Sequence, residues 1–154
     1  MKKLLLIFIV AMLLFGCSSS NDIKLNDNDY LIFGHFYGFC LGENCIELFK
    51  LTNDKLYEDT LDNYNGSPVN FEELSNEKFE QVKDLIDALP TILLTDTEEV
   101  FGCPDCADGG GLHIEYSKNG HIRRWRIDQV KANVPYFLHD FMDAVNEKIS
   151  LINN

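Results

Sequence analysis

Four cysteines in two close pairs, Cys40 with Cys45 and Cys103 with Cys106, are the residues of this chain best suited to chemistry. Cys103-Pro104-Asp105-Cys106 has the Cys-x-x-Cys spacing of thiol-disulfide exchange. Redox centres of the thioredoxin type set that motif at a helix N-terminus, where the dipole lowers the pKa of the first thiol. Here Ala107-Asp108-Gly109-Gly110-Gly111 follows, which cannot propagate a helix, and Asp105 and Asp108 disfavour a thiolate. A structural bridge is therefore favoured over a catalytic thiol. The same four cysteines could alternatively form a tetrahedral thiolate cage for a metal, with His35 or His113 replacing a sulfur.

Other catalytic signatures do not occur. There is no Gly-x-Ser-x-Gly elbow, no His-Glu-x-x-His helix and no D-x-D-x-D-G calcium loop, and the glycine run Gly109 to Gly111 lacks the lysine and helix of a phosphate-binding loop. His113 is expected on a wet face across from Arg126, and His35 as a packed, hydrogen-bonded ring in an aromatic strand. His121 borders a turn, and His139 belongs to the polar side of a helix. The acids are spread evenly, as on a solvated surface. No catalytic residue and no cofactor is assigned.

The start of the chain sets the compartment in which the cysteines are read. Met1-Lys2-Lys3 is a positive n-region and Leu4 to Leu14 an apolar run too short to span a bilayer, and Leu14-Phe15-Gly16-Cys17 follows at once. Those four residues look like a bacterial lipobox, so residues 1–16 are expected to be a lipoprotein signal peptide and Cys17 the lipidated, palmitate-bearing anchor. Outside the cytoplasm disulfides persist, and the four remaining cysteines are read first as two bridges, with three connectivities open. Loss of Lys2 and Lys3 from the 13 Lys and Arg leaves 11 against 25 Asp and Glu, a net charge of −14. Such a surface repels phosphate backbones and excludes nucleic acid as a partner. The expected partners are the bilayer, through Cys17, and an envelope protein, with the outer membrane as the expected location.

Residues 17–28 read as a flexible tether and residues 29–154 as one domain. Tyr30 to Cys40 is an aromatic strand with a bend or bulge at Gly34 and Gly38. Cys45 to Leu51 is a second strand, and Leu56 to Asp59 a short third after the Thr52 to Lys55 turn. A loop over Leu61 to Val69 precedes a helix capped by Ser75, with Phe79, Val82, Ile86 and Leu89 at helical spacing and Pro90 at its end. Asn119-Gly120 joins two more strands, Leu112 to Ser117 and Ile122 to Asp128. If those two residues form the loop, Ile114 faces Trp125, Leu112 faces Ile127 and Tyr116 faces Arg123 on a core side, while His113 faces Arg126 and Glu115 faces Arg124 on a wet side. A last helix, with Asn133 as N-cap, carries the stripe Leu138, Phe141, Met142, Val145, Ile149 and Ile152. The order predicts an α+β fold: an antiparallel sheet of about five strands in βββαββα order, with two helices on one face.

The aromatic residues Tyr30, Phe33, Phe36, Tyr37 and Phe39 exceed what one buried face needs. Two-sided burial is expected, with a pocket or protein-binding face as the alternative. Cys40-Leu41-Gly42-Glu43-Asn44-Cys45 resembles, with one residue more, the Cys-x-Gly-x-Cys segment that joins the first two strands in an uncharacterised family of small Gram-negative envelope lipoproteins. In that family a meander, a helix and a last hairpin follow, and the resemblance implies that fold and location without an activity. The chain is thus expected to be a non-enzymatic, lipid-anchored binding or interaction module of the envelope. A metal-binding protein using Cys40, Cys45, Cys103 and Cys106, and a redox protein using the CPDC loop, are the alternatives.

Overall fold

The computed structural model describes residues 23–40 and 45–154. The leader, the lipidation residue Cys17 and the Leu41 to Asn44 connection lie outside the described residues. The fold is α+β: a mixed seven-stranded sheet with two α-helices. The strands are β1 (Tyr30–Phe36), β2 (Ile46–Leu51), β3 (Leu56–Asp59), β4 (Phe71–Glu73), β5 (Val100–Phe101), β6 (Gly111–Lys118) and β7 (His121–Asp128), and their spatial order is β4-β3-β2-β1-β6-β7-β5. The helices are α1 (Asn76–Val82) and α2 (His139–Ile152).

β1 lies at the centre, antiparallel to β2 on one side and to β6 on the other. Its alternation divides the molecule. Leu31 and Phe33 point to an inner face and meet Phe49 and Leu51 of β2, Ile114 and Tyr116 of β6, and beyond them Trp125 and Ile127 of β7. Phe79 and Val82 of α1 and Phe141, Met142, Val145, Ile149 and Ile152 of α2 are buried in that same cluster. Each such side chain contributes about 1.5–3 kcal/mol on leaving water, so this layer is the main source of stability. Gly34 marks a close approach in β1. A Cβ there would lie 1.8 Å from the backbone oxygen of Glu47 in β2, so only glycine lets the strands come together as they do.

The hairpin forms in the expected register. Asn119 and Gly120 both have positive φ, and the pairs run from Lys118 opposite His121 to Leu112 opposite Ile127. Elsewhere the structure corrects the sequence expectation. The sheet has seven strands, because β4 and β5 are too short for an alternating pattern to reveal. It is mixed, because β5 pairs parallel to β7, with Phe101 beside Ile127. The first helix is α-helical only to Val82, where a φ of −123° turns the chain into a 3-10 segment, Lys83–Ala88, that carries Leu85, Ile86 and Leu89 to the core. The last helix begins at His139 and not at Asn133, because the Asn133 amide donates to the Asp128 carboxylate at 2.7 Å and two 3-10 turns intervene.

The outer face of the β6–β7 hairpin is wet only in part: Arg124 and Ile122 are exposed, whereas His113 and Arg126 are half-buried. Glu115 is only 7% exposed, and it accepts hydrogen bonds from Tyr30 Oη at 2.7 Å and Arg124 Nε at 2.5 Å. The same hydrogen bond, together with burial, pushes the Tyr30 hydroxyl up to about 12, with burial the larger cause. The β3–β4 loop covers the His113 and Arg126 end of this face, which no local pattern in the hairpin could announce. Ile32, Phe36 and Leu48 are buried there as well.

Candidate functional site at the cysteine loops

Three connections converge at one end of the sheet: Tyr37 to Cys40 with Cys45 between β1 and β2, Thr60 to Asn70 between β3 and β4, and Gly102 to Gly110 between β5 and β6. Asp105, in the middle of the CPDC motif, ties them together. Its Oδ2 accepts from the Gly38 amide at 2.9 Å and from Tyr64 Oη at 2.8 Å, and its Oδ1 accepts from the Gly110 amide at 3.0 Å. The Asp105 amide in turn donates to the Gly110 carbonyl at 2.8 Å. Hydrogen bonds to a charged group are stronger than neutral ones, so one carboxylate holds three segments distant in sequence.

The glycine run serves this packing. Gly110 has φ +72°, and a Cβ there would lie 2.1 Å from the Tyr37 ring, while a Cβ on Gly111 would lie 2.4 Å from the Phe36 ring. Aromatic rings take the space that the missing side chains leave. Gly109 has an ordinary right-handed conformation. The CPDC loop begins from a second anchor, the buried Asp128, which accepts from the Cys103 and Val130 amides and from Asn133. Burial pushes the Asp128 carboxyl up, but these hydrogen bonds outweigh it and hold the group below its usual value.

On the outer face Arg126 extends the same construction. Its guanidinium lies 4.1 Å from the centre of the Phe36 ring and 5.3 Å from that of Tyr64, and the two rings meet edge to face at 5.3 Å. The hydrogen bond to Asp105, with burial and against the pull of Arg126, raises the Tyr64 hydroxyl above its usual value. His113 sits beside Arg126 in register, with Gly66 of the β3–β4 loop over its ring. Burial is the main cause that lowers the His113 pKa, with the charges of Arg126 and Arg124 adding to it against Glu115.

The sequence-derived site residues are only partly brought together. Cys40 and Cys45 lie at disulfide distance with Cα atoms 5.6 Å apart, and Cys103 and Cys106 likewise at 5.4 Å. The pairing runs within each loop, which is one of the three connectivities. His35 and His113 point to opposite faces of the sheet, because His35 lies opposite Leu112, the neighbour of His113. His35 Nε2 is 3.0 Å from Glu47 Oε2, and the Asn153 amide donates to both oxygens of Glu47. Burial raises the Glu47 carboxyl, but the bonds from His35 and Asn153 prevail and hold it below its usual value. No group of three or more His, Cys, Asp or Glu among the described residues is arranged to hold a metal ion.

A cleft of about 370 Å³ opens where the loops meet, lined by Tyr37, Gly38, Ile46, Asp62 and Tyr64 and closed at one side by the Cys40–Cys45 pair. Phe39, between two of its lining residues, is 83% exposed. The aromatic row thus divides: Phe33 is buried on the inner face and Phe36 on the outer, Tyr30 and Tyr37 are half-buried, and Phe39 stands in solvent. Sequence reasoning found the cysteines and placed Arg126 opposite His113, but missed Asp105 as a junction, the contact of Arg126 with Phe36 and Tyr64, and Tyr64 altogether. Tyr64 lies in a loop of Asn, Gly and Pro with nothing to single it out. No helix among the described residues is long and apolar enough to cross a membrane. Comparison with known protein families finds no matching family model, and comparison with curated proteins finds no match either.

Proposed function

We propose that the chain is a lipid-anchored envelope protein acting as a non-enzymatic binding module, tethered through Cys17 and engaging a protein partner with the loop end of its sheet. The observation that carries this reading is Phe39, a large aromatic side chain in solvent beside a cleft lined by Tyr37, Tyr64 and the Cys40–Cys45 pair, with Asp105 bonded to Gly38 and Tyr64. An exposed aromatic supplies a large area to bury on association, which is the usual make-up of a binding hot spot. The lipobox-like Leu14-Phe15-Gly16-Cys17 supports the anchor, and the acidic composition supports a protein surface over nucleic acid as partner. The metal-binding alternative is weaker, since each cysteine is paired within its own loop and His35 and His113 face opposite ways.

Two measurements in a Gram-negative host test it. Metabolic labelling with a palmitate analogue should mark the chain and fail on Cys17→Ser; a label that survives the substitution removes the anchor. A photo-crosslinking residue at position 39 should give one discrete adduct, absent when the same group is placed at the exposed Ile122, at the turn end of the β6–β7 hairpin. Equal adducts at both positions, or none at either, would sink the binding face.

A further inference from the structure

The two cysteine pairs differ in how a thiol could reach them. Cys45 is buried, and its carbonyl accepts from the Tyr37 amide at 2.9 Å, extending the β1–β2 pairing into that loop, while its partner Cys40 is exposed. Cys103 and Cys106 are both exposed. Disulfide exchange requires a thiolate to approach one sulfur directly and the other sulfur to leave as a thiolate, so Cys103–Cys106 can be opened from either side with a solvated leaving group, whereas attack on Cys40 must expel Cys45 into a buried position. We propose that Cys103 and Cys106 form an exchangeable disulfide, a site for a protein dithiol, and that its reduction frees Asp105 and loosens the cleft beside Phe39. The second half rests on the binding face proposed above; the first does not.

The coupling follows from where Asp105 sits. The bridge closes a four-residue ring, and Asp105 is inside it with φ +62°, followed by Ala107 at +52° and Asp108 at +58°. Left-handed backbone is disfavoured for residues that carry a Cβ, and three of them within four positions keep that shape only while the surroundings impose it. The covalent ring is part of what imposes it. Once the ring opens, Pro104 to Asp108 can relax toward right-handed or extended backbone, and the carboxylate no longer reaches Gly38, Tyr64 and Gly110 together. Tyr64 is also the ring that meets Phe36 edge to face and lies under Arg126, so the change passes to the outer face. The loop is not itself an oxidoreductase centre: no α-helix starts at Cys103, and the segment after Cys106 is a short turn with left-handed residues.

The reaction balances as an ordinary exchange. A thiolate of the partner attacks one sulfur of the pair, the bond between Cys103 and Cys106 breaks, and the other sulfur leaves as a thiolate and takes up a proton. The partner's second thiol gives up its proton and attacks the mixed disulfide, releasing the first cysteine. Two electrons and two protons reach the pair, and the partner ends as a disulfide.

The test uses the full-length chain carrying Cys17→Ser, so that only these four cysteines are present, with dithiothreitol as the probe. Stepwise reduction followed by alkylation and peptide mass analysis should open Cys103–Cys106 while Cys40–Cys45 stays closed. At that step amide exchange at Gly38 and Gly110 should rise roughly tenfold, with exchange in β1 and β6 unchanged. Cys103→Ser with Cys106→Ser should reproduce the faster exchange without reductant. Simultaneous opening of both pairs, or opening of Cys40–Cys45 first, would overturn the exchange site. Selective opening with unchanged Gly38 and Gly110 exchange would overturn the coupling. Crosslinking from position 39 separates the two proposals. An adduct indifferent to the state of Cys103–Cys106 leaves the binding face standing and refutes its control, whereas failure to crosslink in either state refutes the face while the exchange measurement still judges the loop.

Discussion

Trp125 and Arg126 are neighbours in one strand and show how differently the two faces of the sheet are closed. Trp125 points inward into a cluster of Leu, Ile, Val and Phe side chains contributed by two helices and six strands, where area removed from water is the only large contribution. Arg126 points outward and lies on Phe36 and Tyr64, under a loop that is held by a carboxylate and by glycines. Helices seal a face with a continuous apolar stripe. A loop has no stripe to offer, and here the covering is assembled from aromatic rings, a guanidinium stem and a few charge-assisted hydrogen bonds. Such a covering holds the surface in place yet costs less to displace.

The sharpest way to break this contrast is to truncate each side of β7. Trp125→Ala should destabilise by about 3–5 kcal/mol in urea unfolding, as large aromatic deletions in cores do. Next in size, Gly34→Ala forces a methyl onto the Glu47 carbonyl and should cost roughly 3 kcal/mol by the same measurement, because backbone and not a flexible side chain must yield. Arg126→Ala should cost only about 1 kcal/mol, and a double-mutant cycle with Tyr64→Phe and Tyr64→Ala should assign most of that to the ring and little to the hydroxyl. An Arg126→Ala loss equal to that of Trp125→Ala would erase the distinction between the faces.

The smallest effect is one of pH. The folded pKa of His113 lies below its ordinary value of 6.5, so the neutral ring contributes stability that is fully present above pH 6.5 and is lost as pH falls through the lower folded value. Asp128, also lowered, from 3.8, contributes stability fully present above pH 3.8 and lost only as pH falls further. Urea midpoints of the wild-type chain should therefore begin to fall just below pH 6.5, and His113→Gln should abolish that first decline while leaving the more acidic one. A midpoint that is flat from pH 6.5 down to pH 4 in the wild-type chain would show that His113 is not held neutral by the outer covering.

The hairpin was legible to the residue, since Asn119-Gly120 and a strict alternation act over a few positions. The α2 stripe was legible for the same reason, although its first turn was not: Asn133, a good capping side chain, is spent on Asp128 instead. The two shortest strands carry too few residues for any period to show. The covering of the outer face was misread because its partners lie far off in the chain. Gly38 is 67 residues from Asp105 and Tyr64 is 41, so an acid that looks like a turn residue in sequence becomes a junction only when the sheet brings those segments together. The cysteines were visible as pairs, while their unequal accessibility depends on which loop continues a strand.

The sheet ends on one side in β4, three residues of which two are Glu72 and Glu73, and on the other in β5, two residues long. The β4 border is too short and too negatively charged to template another chain, whereas β5 covers only Arg126 and Ile127 of β7. Copies brought to high local concentration are therefore steered away from edge-to-edge pairing through β4 by the repulsion of Glu72 and Glu73.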